Sequence, residues 1–228
     1  MDGIILVDKP KGWSSFDVVA KLRGRLRAAS DGKKIKVGHT GTLDPMATGL
    51  LILVVGSYCK RAAEFSKLDK EYEAVVMLGA ASSTDDEEGK KTSVSDRQPT
   101  LEEVQQVLAG FKGPGQQTPP AFSAIKIDGQ RAYKLARDGK EVTIEPRNIT
   151  IYEIKDVVYA YPALSFTVKV SSGTYIRSLA RDIGQKLGTG AYLHELKRTE
   201  VGSYNLADAQ PVDVLTDAEI IHQHLLTP

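Results

Sequence analysis

The segment formed by residues 38–49 constrains the fold more than any other part of the chain. It reads Gly-His-Thr-Gly-Thr-Leu-Asp-Pro-Met-Ala-Thr-Gly, with three glycines and one proline. Glycine makes a backbone permissive and proline removes a hydrogen-bond donor, so a regular helix or strand is not expected to run through the segment. An apolar run with strand composition follows at residues 50–55. The segment is therefore predicted to be a bent loop that leads into a buried strand.

Asp44 is the acidic residue of this loop. Pro45 disfavours the helical region for the residue before it, so the Asp44 carboxylate is expected on extended backbone. An aspartate among glycines beside a buried strand can be directed into a cleft. Loop aspartates are more often turn formers, however, and the residues alone leave both interpretations open.

Hydrophobic periodicity along the chain predicts a mixture of helices and strands. Strands are predicted at residues 3–7, 50–55, 72–79, 148–158 and 164–172. Helices are predicted after Ser14, after Thr100, at 130–137 with an end near Gly139, and at 175–187. Residues 113–120 are too rich in Gly and Pro for a regular element. Because strands do not alternate strictly with helices, the predicted class is α+β rather than a doubly wound parallel sheet.

The first predicted helix has one apolar and one basic face. Ser14 and Asp17 have the spacing of a capping box at its start. The apolar stripe is predicted to consist of Phe16, Val19, Leu22 and Leu26. The basic face carries Lys21, Arg23, Arg25 and Arg27.

The formal net charge of +1 hides a gradient along the chain. Residues 1–40 contain nine Lys and Arg against four Asp, whereas residues 199–228 contain five acids and neither Lys nor Arg. The basic part could face a polyanion such as nucleic acid.

Several function classes lack their expected sequence features. His39 and Asp44 could ligate a metal, but the other three histidines show no accepted spacing with them, so no metal is expected. Neither a G-x-S-x-G elbow nor a phosphate-binding G-x-x-x-x-G-K-[ST] loop occurs. No run of eighteen apolar residues occurs, and the single cysteine, Cys59, excludes an internal disulfide. A reduced, cytoplasmic location is the expectation.

Six segments, in order, resemble the sequence signature of the TruB family. Residues 38–49 are similar to its G-H-T-G-x-L-D-P-x-A-T-G motif, and residues 8–15 to its D-K-P-x-G-x-x-S motif. Residues 70–72 resemble its K-x-Y strand, and residues 119–133 its P-P-x-x-S-A-x-K-x-x-G-x-R-A-Y stretch. Residues 173–184 resemble G-T-Y-I-R-x-L-x-x-D-x-G, and residues 193–202 the closing L-x-x-L-x-R-T-x-x-G.

The resemblance implies a fold and an activity. Members of the family convert a uridine in the T loop of transfer RNA to pseudouridine, on an α+β fold with a central, mainly antiparallel mixed sheet flanked by helices and loops. By resemblance Asp44 is the catalytic nucleophile and Arg177 pairs with it. Tyr72 would stack on the uracil base after it has left the RNA helix.

Four further residues are implicated in RNA binding by the same resemblance. His39 would fill the gap left in the RNA stack, and Tyr175 would line the pocket. Lys9 and Lys126 would support the pocket or touch phosphate. The expected partner is the T-arm stem-loop of transfer RNA, bound by a monomer that needs no metal or other cofactor.

Two departures and several alternatives accompany the resemblance. Tyr192 stands where the family commonly has histidine, and the family's small RNA-binding module of the PUA type is expected to be absent. One catalytic domain over residues 1–228 is therefore expected. The alternatives are a uridine in another RNA, guide-directed or ribosomal, an RNA-folding chaperone without catalysis, and a hydrolase that uses Asp44.

Overall fold

A computed structural model describes residues 1–28, 34–123, 125–127, 129–138 and 142–228. These residues form two compact units. The first unit comprises residues 1–72 and 196–228, and the second comprises residues 73–195. The first unit is therefore built from both ends of the chain.

The described residues contain strands and helices in mixed order. The strands are β1 (Gly3–Lys9), β2 (Val37–His39), β3 (Thr48–Val55), β4 (Lys70–Leu78), β5 (Ala80–Ser82), β6 (Lys91–Ser93), β7 (Gly113–Gln117), β8 (Lys126–Ile127), β9 (Gln130–Arg131), β10 (Arg147–Ala160), β11 (Ala163–Val170), β12 (Ala191–Val201), β13 (Tyr204–Asn205) and β14 (Gln210–Pro211). The α-helices are α1 (Ser15–Ala28), α2 (Ala62–Ser66), α3 (Leu101–Ala109), α4 (Ala132–Arg137), α5 (Ile176–Leu187) and α6 (Ala218–Gln223). Two short 3₁₀ helices cover Gly56–Arg61 and Leu206–Asp208.

The first unit is organised around a mixed sheet. Its strand order is β14–β1–β3–β12. β1 and β3 are antiparallel, with Gly3 opposite Val55 and Lys9 opposite Gly49. β14 joins β1 in parallel, and β12 joins β3 in parallel. The predicted strands at residues 3–7 and 50–55 are confirmed.

The central strands of this sheet are buried on both faces. Alternate residues of β1 and β3 form one core cluster with Phe65 and Val201, namely Ile4, Leu6, Leu50, Ile52 and Val54. The intervening residues of β3, Leu51, Leu53 and Val55, are also fully buried. A continuous apolar strand of this kind is what a sheet covered on both sides requires.

The loop of residues 40–47 leaves the sheet because another strand occupies its place. β2 pairs with one end of β3, where His39 lies opposite Leu53. The other end of β3 pairs with β12, where Arg198 lies opposite Gly49. The chain between β2 and β3 therefore cannot continue as a hairpin, and it forms the loop that carries Asp44.

The second unit contains an antiparallel sheet in the order β4–β11–β10–β7. β10 and β11 form a long hairpin, and β7 pairs with the first residues of β10. Both strands predicted at 148–158 and 164–172 are confirmed. Together the two units give the predicted α+β class with a mainly antiparallel mixed sheet.

Helix α5 is the most regular helix of the second unit. Its buried face includes the four residues predicted to point inward, Ile176, Leu179, Ala180 and Ile183. Gly188 ends it in the left-handed conformation, with φ of 68°. Both predicted capping boxes are present, at Ser14 with Asp17 and at Thr100 with Glu103.

Two predictions were wrong. Residues 113–120 were expected to lack a regular element, but Gly113–Gln117 form β7, because the partner strand β10 supplies the pairing that composition cannot indicate. Phe16 was expected to be buried, but 62% of its surface is exposed and Val18 is buried instead. The predicted helix end near Gly139 lies outside the described residues. No helix in the described ranges is long and apolar enough to cross a membrane.

Gly49 and Gly24 provide a matched test of the register between β3 and β12. Gly49 has φ of 96°, and a Cβ there would lie 2.4 Å from the carbonyl oxygen of Arg198. Gly24 lies within α1, and a Cβ added there would meet no atom from outside the helix backbone within 4 Å. We expect Gly49→Ala to destabilise the fold by about 2–4 kcal/mol through strain and steric overlap. Gly24→Ala should stabilise it by about 0.5–1 kcal/mol. Denaturant unfolding measures both changes in stability. Equal effects of the two substitutions would contradict the close approach of the Gly49 backbone to the Arg198 carbonyl.

Candidate active site

The Asp44 loop is held at its centre by a turn. The carbonyl of Asp44 accepts a hydrogen bond from the Ala47 amide at 3.1 Å. Leu43, Met46 and Ala47 are buried, whereas Asp44 is half-buried. The buried apolar neighbours anchor the loop, and Asp44 itself is partly accessible to solvent.

Ser15 fixes the residue before Asp44. Its hydroxyl accepts a hydrogen bond from the Leu43 amide at 2.8 Å and donates to the Leu43 carbonyl at 3.1 Å. Ser15 is buried at the start of α1. Both backbone groups of Leu43 are therefore satisfied by one side chain, as buried polar groups require.

Lys9 fixes the residue after Asp44. It is fully buried, and its ammonium donates to the carbonyls of Trp13 at 2.5 Å, Pro10 at 2.9 Å and Pro45 at 3.5 Å. The same Pro45 carbonyl accepts the Gly12 amide at 2.8 Å. This burial favours support of the loop over direct contact with phosphate, which needs an exposed ammonium.

The charge of Lys9 is also close enough to influence its surroundings. Burial lowers the pKa of Lys9 to about 8, the negative charge of Asp44 acts against this, and the positive charge of Arg198 adds to it. The interaction with Asp44 is reciprocal, so Lys9 favours the ionised carboxylate.

Arg198 joins the loop to strand β3. It is 2% exposed, and its guanidinium donates to the carbonyls of Leu50 at 2.7 Å and Gly41 at 3.1 Å. Sequence reasoning missed this role and that of Ser15. Both residues belong to the quoted motifs, at residues 193–202 and 8–15, and this was the available signal.

His39 and Tyr72 also lie in the first unit. His39 ends β2, and burial, followed by the positive charge of Arg198, lowers the pKa of its imidazole. Among the described residues its Nδ1 atom has no hydrogen-bond partner. Tyr72 lies on β4 and is 7% exposed.

Arg177 lies in the second unit, at the start of α5. It is buried, and its guanidinium donates to the carbonyls of Thr84 at 3.2 Å and Phe122 at 2.8 Å. The Asp86 carboxylate lies 3.5 Å away and is also buried. Asp86 was not identified from the sequence.

The remaining predicted residues also belong to the second unit. The backbone of Tyr175 is fixed by the Gln117 side-chain amide, which accepts from its amide at 2.8 Å and donates to its carbonyl at 3.1 Å. Lys126 lies in β8, opposite Arg131, and its side chain lies outside the described residues. The structure thus places Asp44, Lys9, His39 and Tyr72 in one unit, and Arg177, Tyr175 and Lys126 in the other.

The chemistry of these residues suits acid–base and nucleophilic work. Among the described residues, no three His, Cys, Asp or Glu side chains are grouped so that they could hold a metal. The first unit contains the half-buried residue Asp44 on a loop whose backbone is fixed by Ser15, Lys9 and Arg198. A carboxylate held in this way can act as a nucleophile.

Two protein-family models match the chain. Residues 27–176 match the TruB family pseudouridylate synthase N-terminal domain, and residues 177–226 match the tRNA pseudouridylate synthase B C-terminal domain. The first match contains Asp44 and Tyr72, and the second begins at Arg177.

Curated relatives are similar over nearly the whole chain. The tRNA pseudouridine synthase B of Opitutus terrae is 43% identical over 216 residues, which cover 94% of this chain and 87% of the relative. The protein of the same name from Aquifex aeolicus is 39% identical, over 99% of this chain and 77% of the relative.

Solved structures share the fold. A chain of a Cbf5–Nop10–Gar1 complex is 27% identical with a TM-score of 0.72, over 98% of this chain and 59% of that chain. A chain of an H/ACA ribonucleoprotein bound to a substrate RNA containing 2′-deoxyuridine is 25% identical with a TM-score of 0.69, over 97% and 54%. This chain therefore spans little more than half of these structural neighbours.

Ser15→Ala tests whether the Leu43 contacts hold the loop. The substitution leaves the buried Leu43 amide without its partner, so we expect a loss of about 1–3 kcal/mol in the free energy of unfolding. Ser203→Ala, at an exposed serine, is the control and should change it by about 0.5 kcal/mol or less. Urea denaturation measures both, and a Ser15 variant as stable as the control would show that the loop does not depend on this hydroxyl.

Proposed function

The chain belongs to the TruB family of pseudouridylate synthases, and we propose that it isomerises the T-loop uridine of transfer RNA to pseudouridine, with Asp44 as nucleophile. The observation that carries this proposal is the anchored loop, in which Ser15, Lys9 and Arg198 hold the backbone around one half-buried carboxylate. A carboxylate fixed in this way is preorganised for attack.

The reaction suits a carboxylate without a cofactor. Uridine and pseudouridine are isomers, so the N1–C1′ bond breaks, a C5–C1′ bond forms, the C5 proton leaves and N1 gains a proton. Asp44 would form a covalent intermediate that retains one fragment while the base rotates. No net oxidation or reduction occurs, and neither a metal nor a nucleotide is required.

We propose that Arg177 pairs with Asp44 and keeps it ionised. Its guanidinium is oriented by the Thr84 and Phe122 carbonyls and by Asp86. An arginine fixed in this way can present a planar pair of donors to a carboxylate, which favours the charged form.

The aromatic residues would receive the base and the RNA. The target uridine must leave its stack before the nucleophile can reach it, and the ring of Tyr72 would stack on it. His39 would fill the vacated space, since its lowered pKa favours an uncharged ring at neutral pH. Tyr175 would line the pocket, and Lys126 would support it or contact phosphate.

The substrate also suggests where and in what form the protein acts. Transfer RNA as substrate indicates the cytoplasm. Nucleophile and arginine come from one chain, so a monomer would suffice, with the T-arm stem-loop as its partner.

Asp44→Asn is the direct test of the nucleophile. Tritium release from C5-labelled uridine in a T-arm stem-loop should be abolished, because an amide cannot form the covalent intermediate. RNA affinity should stay within about threefold, since stacking and phosphate contacts supply most of the binding energy. Asp213→Asn, at an exposed residue, is the charge-matched control and should retain full activity. Turnover by Asp44→Asn within about tenfold of the parent would refute the assignment.

Tyr72→Phe and Tyr72→Ala separate stacking from packing. The Phe variant keeps an aromatic face, so RNA affinity should be nearly unchanged. The Ala variant loses stacking worth roughly 1–3 kcal/mol and should lose catalysis in single-turnover assays. Val76→Ala, at a buried residue of the same strand, is a control for the loss of core packing and should retain the single-turnover rate. If Tyr72→Ala reacts as fast as Val76→Ala, the tyrosine serves only the core.

A further inference from the structure

Helix α5 presents two arginines one turn apart, and both contact the same acidic turn. Arg177 reaches the Thr84 carbonyl and the Asp86 carboxylate. Arg181 reaches the Asp85 carboxylate at 2.9 Å. Residues four apart on a helix lie on one face, so the turn at residues 84–86 is held along two successive helical turns.

The backbone of this turn makes the double contact possible. Successive side chains of an extended chain point to opposite sides. Asp85 has φ of 62°, a left-handed conformation that is uncommon for residues other than glycine. This bend allows the consecutive carboxylates of Asp85 and Asp86 to reach the same helix.

The same two arginines also hold a second segment. Arg177 donates to the Phe122 carbonyl at 2.8 Å, and Arg181 donates to the Thr118 carbonyl at 3.0 Å. The Ser178 hydroxyl donates to the same Thr118 carbonyl at 2.9 Å. The position of the Arg177 guanidinium therefore depends on where these two segments lie.

The inner and outer contacts differ in burial. Side-chain exposure is 7% for Arg177 and 4% for Asp86, whereas it is 33% for Arg181 and 19% for Asp85. Partly exposed ion pairs contribute little to stability. Removal of the outer pair, Arg181 and Asp85, should therefore leave the protein folded. Its main effect should be to change the geometry of the inner pair, Arg177 and Asp86.

We propose that Arg181 and Asp85 are positioning residues, whose contact sets the acidic turn so that Asp86 holds the Arg177 guanidinium for its task in the reaction. The inference rests on the proposed function, because the task of Arg177 is to orient Asp44. Neither Arg181 nor Asp85 needs to touch the RNA or the reacting atoms.

Asp85→Asn and Arg181→Gln test the proposal. Asparagine tolerates the left-handed backbone, so the fold should persist. We expect the single-turnover rate with a T-arm stem-loop to fall about tenfold in each variant, with RNA affinity changed less than about twofold. The double variant should be no slower than Arg181→Gln alone, because Arg181→Gln already removes the contact with Asp85. Arg181→Lys keeps the ion pair and should retain most of the rate.

Glu87→Gln is the matched control. It removes a carboxylate from the same acidic stretch, but Glu87 contacts His194 and Lys91 rather than α5. Its rate should equal that of the parent. Rates within about twofold of the parent for both Asp85→Asn and Arg181→Gln would overturn the proposal, as would an equal fall in Glu87→Gln.

A spectroscopic measurement separates this inference from the proposed function. In a nitrogen–proton correlation spectrum of the arginine side chains, the Arg177 Nε–H signal, assigned by its loss in Arg177→Lys, should shift in Asp85→Asn and not in Glu87→Gln. An inactive parent protein would refute the proposed function and leave this readout intact. An unchanged Arg177 signal in Asp85→Asn would refute the positioning role whatever the activity.

Discussion

The first unit depends on the hydrogen bonds that the buried guanidinium of Arg198 donates. Arg198 lies on β12, next to the edge of β3, and joins the Leu50 carbonyl in the sheet to the Gly41 carbonyl in the loop. Among the described residues no carboxylate forms an ion pair with it, and the acceptors of its hydrogen bonds are backbone carbonyls. Such a site is sensitive to geometry, because a buried charge is tolerated only where its hydrogen bonds are well formed.

Two other buried cations, Lys9 and Lys70, lie near enough to Arg198 for its charge to affect their pKa values. Burial, with the nearby positive charge of Arg198, lowers the pKa of Lys70 to about 8, as it does for Lys9. A lysine whose pKa is lower in the folded protein destabilises folding while it is protonated. That cost is present at neutral pH and is relieved as the pH rises from about 8 towards 10.5. The positive charge accumulated around the loop favours an anion there, and Asp44 supplies one.

Sequence patterns predicted those elements whose determinants are local. The apolar runs of β1 and β3, the capping boxes and the stop of α5 at Gly188 depend on neighbouring residues and were predicted correctly. β7 depends on pairing with β10, which lies some thirty residues further on, and its composition gave no signal. The role of Asp44 as nucleophile was predicted by resemblance, since local chemistry alone left open whether it is a turn former or a carboxylate directed into a cleft. The structure gives its backbone that turn, through the bond from Ala47.

The separate sequence motifs supply contacts around Asp44 in the first unit and around Arg177 in the second unit. In the first unit, residues 8–15 and 193–202 supply Lys9, Ser15 and Arg198, which fix the backbone of residues 38–49 at Pro45, Leu43 and Gly41. In the second unit, the acidic turn and residues 119–133 supply the carbonyls and the carboxylate that orient Arg177. A loop without regular hydrogen bonding can hold a reactive group in place only if other segments satisfy its backbone. This requirement explains why segments distant in sequence must be specified together with the one that carries the proposed nucleophile.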